Sequence, residues 1–442
     1  MSELAYDIGQ EPVSGQEPLI DGREVEQTGV PEANVPSDTF VPTVPRISIQ
    51  AFCETPDVAS SLDETSRDRR LARAHFTVQM GGVDAAIGFY ENAPTPNLIL
   101  IESQLQGDAI INDLARLAEV CDAGTRVIVI GHVNDVFLYR NLINNGVSEY
   151  LIAPVDPLSV INTIGSLYHD PQAAPIGKVI AFVGAKGGVG SSTIAHNTAF
   201  CVANTYSSDV VIADLDLPFG TAALDFNQDP QQGIAEAVLS PDRLDEVLLE
   251  RLLAKCSDHV SLFAAPSTLD QVYDFESTAF DPVLDVVRNN VPYMVLDVPH
   301  LWTGWSKSVL MSADEIVITA APDLANMRNA KNLVDLLKQG RANDNPPHLV
   351  LNQVGLPKRP EISVKDFSEA LSLDPAAVIA FEPELFGDAA NNGQMIQEVS
   401  ASAKPMESFN RLAAVLSGKS EARPSKKSLL GPILDKLKRK KG

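Results

Sequence analysis

The sequence predicts an α/β protein made of two doubly wound domains in series, and three observations lead to that reading. Between residues 46 and 168, five short apolar runs alternate with stretches of helical periodicity. A sixth run, Lys178–Val183, opens directly into a glycine-rich loop and then into a helix of small and apolar residues. Two later apolar runs stop at carboxylates, one at Asp214 and Asp216, the other at Asp297. Strands and helices in alternation bury a parallel sheet between two helical layers, and 442 residues suffice for two such domains with tails.

Residues 1–45 hold nine acidic residues, six prolines and a single Arg without hydrophobic periodicity, and are predicted to be disordered. The first domain spans 46–168. Its strands are Ile47–Cys53, His75–Gln79, Leu98–Ile101, Val127–Ile130 and Tyr150–Ile152, with a closing helix at Pro157–Tyr168. The stretch Asn145–Pro154 resembles the last strand and turn of response-regulator receiver domains, which implies a flavodoxin-like receiver fold. An unrelated flavodoxin-like domain would share the same pattern. Receiver chemistry needs a phosphoryl-accepting aspartate, an acidic pair for Mg²⁺, a hydroxyl after the fourth strand and a lysine after the fifth. Here Glu102 ends the third strand, Gly131 and His132 follow the fourth, Ala153 stands in the lysine position, and Glu54 alone suggests the acidic pair. The domain is therefore expected to take no phosphoryl group and to serve as an interaction module.

Residues 169–177, with Pro171 and Pro175, read as a linker to a second domain at 178–416. Its loop runs Gly184-Ala185-Lys186-Gly187-Gly188-Val189-Gly190-Ser191-Ser192-Thr193. Glycine lets the backbone curl until successive N–H groups face one anion, and the following helix turns its positive end to the same phosphates. The standard spacing G-x-x-x-x-G-K-[ST] places glycine at 185 and lysine at 191, where this chain has Ala185 and Ser191. Taken alone, the loop could be a glycine turn without a ligand. Lys186, however, matches the extra lysine of the deviant loop K-G-G-x-G-K-[ST], and on this stretch the chain resembles the MinD/ParA ATPases.

That resemblance implies a P-loop NTPase fold with ATP and Mg²⁺ as cofactors, held by Lys186, Gly187, Gly188, Val189, Gly190, Ser191, Ser192 and Thr193. By motif alignment, Asp216 is the switch I carboxylate that activates water or helps place Mg²⁺. Asp297 is the Walker B carboxylate beside the metal's water shell, and Ser192 supplies the metal's hydroxyl. Lys186 is implied to reach across a dimer interface to the partner's phosphates, acting in catalysis with Asp216. Asn352 matches the amide that reads the adenine edge, with Phe381–Phe386 and Ala389–Met395 flanking the base. The family's D-x-P-x-G after Walker B is absent: Val298 and His300 follow Asp297, and Gly304 comes later. An aspartate at a strand end is often only a helix cap, and a lone His is more often structural. The lysine lost at Ser191 would make a charge-assisted hydrogen bond of about 1.5–3 kcal/mol, roughly 10- to 150-fold in affinity, so weak binding or slow turnover is expected.

A receiver-like domain ahead of this ATPase, with the loop and the stretch Ala389-Ala-Asn-Asn-Gly-Gln-Met395, resembles the CpaE/TadZ family of Tad (Flp-type) pilus assembly proteins over residues 46 to about 416. The resemblance implies a cytoplasmic, often polar, localisation factor that dimerises around ATP and works with pilus secretion proteins. The alternatives are a nucleotide-independent pseudo-ATPase scaffold for pilus or secretion partners, which is of another class, and a MinD/ParA-type positioning ATPase for another cargo.

Composition narrows the rest. A net charge of −24 argues against nucleic-acid binding. No apolar run reaches the roughly 18 residues of a membrane span, and the acidic N-terminus is no signal peptide. Cys53, Cys121, Cys201 and Cys256 are scattered without metal or disulfide spacing. Residues 417–442 form a basic tail, with eight basic residues in 423–442 against Asp435 alone. Within 429–441, Leu429, Leu430, Ile433, Leu434 and Leu437 recur at helical spacing among lysines, which fits either peripheral contact with an anionic inner membrane or docking on an acidic protein.

Overall fold

The computed structural model describes residues 44–169 and 176–419. Most of the acidic N-terminal segment, linker residues 170–175 and the basic tail from 420 lie outside the described residues.

Five parallel strands form the first sheet: β1 (Ser48–Cys53), β2 (His75–Met80), β3 (Leu98–Glu102), β4 (Arg126–Gly131) and β5 (Glu149–Ile152). Their order, β2-β1-β3-β4-β5, is the flavodoxin-like one. Every residue of β3 is buried, as a central parallel strand requires. Helices Pro56–Ser66 and Pro157–Tyr168 cover one face with Val58, Leu62, Val160 and Ile164, and Gly82–Tyr90 and Asp108–Val120 cover the other. The starts of Pro56–Ser66 and Pro157–Tyr168 are written locally: Thr55 and Asp156 accept first-turn amides, and each helix carries proline in its first turn.

The second sheet has eight strands: β6 (Lys178–Gly184), β7 (Val210–Asp214), β8 (Ala254–Lys255), β9 (Val260–Phe263), β10 (Tyr293–Val298), β11 (Glu315–Ala320), β12 (His348–Val354) and β13 (Pro375–Ala380). Their order is β13-β12-β11-β6-β10-β7-β9-β8, and every pairing is parallel except the short β8 on β9. The chain leaves β6 toward β7 on one side and later returns to β11 on the other. The glycine loop at the end of β6 thus sits at the switch point where open α/β sheets bind ligands. One expectation needs correcting: β7 stops at Asp214, and Asp216 lies in the turn beyond it. That turn closes because the Asp214 carboxylate accepts the amide of Asp216 at 3.1 Å, which ends the ladder.

The first domain docks through the short turn Arg69–Leu71, between its first helix and β2. Arg69 donates to the carbonyl of Ser312 at the C-terminal end of helix Gly304–Ser312, where the helix dipole favours a cation. Its guanidinium also meets Asp344 at 2.6 Å and Asp314 at 3.2 Å. Arg70 pairs with Asp68 and Asp344, Arg73 with Asp285, and Asn343 donates to Asp68. Because Asp314 immediately precedes β11, this contact lies at the N-terminal edge of the second sheet. The glycine loop is at the opposite edge.

Candidate functional site

The loop between Gly184 and Ser191 curls through two glycines in left-handed backbone, Gly188 (φ 78°) and Gly190 (φ 84°). A Cβ on Gly190 would come within 2.6 Å of the Asn352 amide nitrogen, so the curl is also closed by packing. At Gly187 and Gly188 a Cβ would meet nothing within 4 Å, which marks the open mouth.

Four side chains bind the outside of this curl. His300 Nδ1 lies 2.9 Å from the carbonyl oxygen of Gly184, and the Asn329 amide donates to that of Ala185 at 2.9 Å. Gln353 donates to the carbonyl of Gly188 at 3.0 Å and Asn352 to that of Val189 at 2.9 Å. By contrast, the amides of Lys186, Gly190, Ser191, Ser192 and Thr193 find no acceptor among the described residues. The Ser191 hydroxyl is buried without a partner, and the Lys186 side chain is exposed. Unpaired N–H donors at a helix N-terminus, with an orphaned hydroxyl among them, fit the oxygens of a phosphate.

Two carboxylates face each other across adjacent strands, Asp297 of β10 opposite Asp214 of β7. Asp214 is a builder of the turn: it accepts from the amides of Asp216 and Ala222, each at 3.1 Å. Gly220 packs on its carboxylate so closely that a Cβ there would collide with it. Gly220→Ala should therefore displace the turn that carries Asp216 and destabilise the protein by about 1–3 kcal/mol, read from the midpoint of urea unfolding. Burial, aided by the neighbouring Asp297 charge, pushes the Asp214 carboxyl up. Half-buried Asp216 accepts from the amide of Phe219, and burial raises it too.

Asp297 has a further neighbour that the sequence did not announce. His196, fully buried on helix Ser191–Tyr206, places Nδ1 2.8 Å from Asp225 and Nε2 3.5 Å from Asp297. Burial alone would lower the imidazole, but the hydrogen bond to Asp225 and the charges of Asp225 and Asp297 more than offset it, raising it to about 10. The imidazole is thereby favoured in its protonated form beside Asp297. The signal was in the spacing: residue 196 follows Ser192 by four, one turn along the same helix face. Asn329 and Gln353 also had no foreseen role.

Ser192 is the second residue of the helix, Asp297 the penultimate residue of β10, and Asp216 stands in the turn beyond β7, all at the loop's edge of the sheet. No group of three or more His, Cys, Asp or Glu among the described residues has the geometry of a metal site. These three could hold Mg²⁺ only as part of a shell completed by phosphate oxygens and water, the usual arrangement for this cation. Asn352 is 7 % exposed beneath the loop and commits an amide hydrogen to it. In the first domain, the buried Glu102 carboxylate accepts from the amides of Glu54 (2.7 Å) and Thr55 (2.8 Å) and the Thr55 hydroxyl (2.6 Å), and His132 lies 3.0 Å away. Glu54 turns to the amide of Gln104. The Glu102 carboxylate is thus taken up inside the domain, whereas exposed Glu54 commits one oxygen to a backbone amide.

Comparison with known proteins agrees with both halves. Residues 177–348 match a family model described as an AAA domain. The septum site-determining protein MinD of Bacillus subtilis is 23% identical over 235 residues, covering 50% of this chain and 82% of that protein. Two solved pilus assembly proteins match the N-terminal domain. CpaE of Caulobacter crescentus is 44% identical over 100% of its chain and 30% of this one (TM-score 0.29), and a putative CpaE2 of Sinorhizobium meliloti is 37% identical over 99% of its chain and 27% of this one (TM-score 0.27). Since that identity runs the whole length of the Caulobacter chain, the present chain belongs to the CpaE family of pilus assembly proteins, with a MinD/ParA-type P-loop domain following the receiver-like one.

Proposed function

We propose that this chain is an ATP-binding localisation and assembly factor of a Tad-type (Flp) pilus machine, in which nucleotide gates dimerisation and hydrolysis is slow. The observation that carries it is the loop itself, whose outward carbonyls are tied while its amides and the Ser191 hydroxyl are left for an anion. Lys186, Gly187, Gly188, Val189, Gly190, Ser191, Ser192 and Thr193 would hold the ATP phosphates, and Ser192, Asp216 and Asp297 the Mg²⁺ with its waters. Bound ATP and Mg²⁺ would supply the hydrolysable phosphoanhydride and the charge balance around it. With serine at 191, the loop has no lysine of its own subunit for that charge, which supports slow turnover.

A second copy fits the same end of the sheet. Phe219, Leu224, Leu269, Val272, Leu301, Trp302 and Leu324 are exposed, and all follow strand ends on the loop's side. Such a concentration of apolar side chains marks an interaction surface. Exposed Lys186 would cross that interface, and linkage then makes dimerisation tighten with nucleotide. The receiver-like domain, at the far edge, is left to engage pilus proteins, and the acidic surface does not suit nucleic acid. No helix among the described residues is long and apolar enough to cross a membrane. A cytoplasmic chain, polar and touching the inner membrane through 429–441, completes the reading, with that segment outside the described residues.

The test is calorimetry of the full chain with ATP, ADP and ATP without Mg²⁺, alongside sedimentation. ATP should bind at millimolar concentration or better and shift monomer to dimer. Lys186→Ala should lower the ATP-dependent dimerisation at least tenfold. A chain that binds no nucleotide while still engaging pilus proteins is the scaffold alternative, which the missing lysine and the Asp297–His196 pair favour.

A further inference from the structure

We propose that His300, Asn329, Asn352 and Gln353 are positioning residues that hold the phosphate loop in its anion-binding curl from outside, so that Asn352 serves the loop and not the base. This rests on the nucleotide reading above and concerns what makes a loop with serine in place of the lysine at 191 bind.

The argument is one of peptide geometry. Each peptide unit is planar and trans, so the carbonyl of one residue and the N–H of the next point in opposite directions within one rigid plane. A carbonyl pinned outward therefore aims the following amide inward. The bond from Asn329 to the Ala185 carbonyl orients the amide of Lys186, and that from Asn352 to the Val189 carbonyl orients the amide of Gly190. Gln353 acts likewise through Gly188 on the amide of Val189. His300 fixes the plane where the loop leaves β6, whose next amide, Ala185, is held by the carbonyl of Thr319 at 2.8 Å.

The four side chains come from three elements: His300 after β10, Asn329 on helix Leu324–Gly340, and Asn352 and Gln353 on β12. Gln353 reaches the loop because its backbone is left-handed (φ 55°), an uncommon conformation for this residue type, where the pairing of β12 with β13 shifts register. Glycine-rich loops have the most conformational freedom to lose on binding, and a lysine anchored on the phosphates would offset part of that loss. In its absence, an outer frame that orders the loop beforehand does the same.

The experiment compares Asn329→Ala, His300→Ala, Asn352→Ala and Gln353→Ala in the full chain, titrating ATP, GTP and inorganic tripolyphosphate by calorimetry. Each variant should weaken all three ligands by a similar factor, about tenfold for one lost hydrogen bond, and His300→Asn, which keeps a donor near the same place, should recover most of the loss. Gln353, at the rim, keeps the test readable if the buried Asn352 variant does not fold. Wild type that binds while the variants bind equally well overturns the proposal. So does an Asn352→Ala variant that loses ATP but keeps tripolyphosphate, because that outcome returns Asn352 to base recognition. A wild-type chain that binds none of the three removes the nucleotide reading itself, and the proposal with it.

Discussion

Replacing His196 with leucine should destabilise the protein by about 3–5 kcal/mol, the usual cost of removing one member of a buried ion pair and leaving the other charge unmatched. The imidazole is fully buried between Asp225 and Asp297, and Asp297 already faces a second buried carboxylate, Asp214. Leucine fills most of the volume but leaves two carboxylates side by side in a desolvated strand layer. Asp225, 22% exposed at its side chain, can recover water; Asp297, at 6%, cannot. The pH dependence has a definite sign. His196 is raised from 6.5 to about 10 on folding, so its contribution is fully present below pH 6.5 and fades as pH rises through 10. The difference in unfolding free energy between wild type and His196→Leu, measured by urea titration at pH 6, 8 and 10, should therefore be largest at pH 6 and shrink toward pH 10. A difference below 1 kcal/mol at pH 6 would show that no buried imidazolium holds these acids together.

Much of the architecture was legible because its signals are local. Four- to seven-residue runs such as Leu98–Glu102 and Lys178–Gly184 are apolar on both faces and bounded by turn residues, so their strand ends could be placed to within a residue or two. The glycine loop was legible for the same reason, its left-handed positions being written as Gly188 and Gly190. What escaped is tertiary. The edge strand β13, Pro375–Ala380, is made largely of alanine and takes its strand character from pairing with β12 and from cover by helix Lys404–Ser417. Asp214 and Asp216 both stood at the end of one apolar run, and only motif alignment set Asp216 apart. Only the fold shows that the first is buried to build a turn and the second is left beside the loop. The role of Asn329 had no sequence signal, and His300 stood out only as a departure from the motif after Asp297, because each meets a loop more than a hundred residues away.

Asp344→Ala should release the receiver-like domain from the ATPase domain without unfolding either. This carboxylate, 5% exposed, receives three guanidiniums: Arg69 at 2.6 Å, Arg341 at 2.9 Å, and Arg70. Its loss leaves Arg341 with only the carbonyls of Leu310 and Asp314. Arg69 then keeps Asp314 and the Ser312 carbonyl, and Arg70 keeps Asp68. Three cations facing one another with too few anions should weaken docking by about 3–5 kcal/mol, whereas the apolar clusters on both faces of each sheet contain none of these side chains and persist. Hydrogen exchange should rise at 67–73 and 308–314 while the strand interiors stay protected. Burial works to raise the Asp344 carboxyl, but the guanidiniums win and hold it below its ordinary 3.8. Its contribution is therefore present at and above that ordinary value and is lost only as pH falls through the lowered one, so wild-type docking should survive at pH 4 and fail in stronger acid. Salt should matter little for charges this buried, and 0.5 M NaCl is not expected to mimic the substitution. ATP affinity should be unchanged, because the latch and the phosphate loop lie at opposite edges of one sheet. A shift of fivefold or more in that affinity would mean that the strands and helices between the two ends transmit the docked state to the loop, and the receiver-like domain would then be a regulator of the nucleotide site in addition to a partner-binding module.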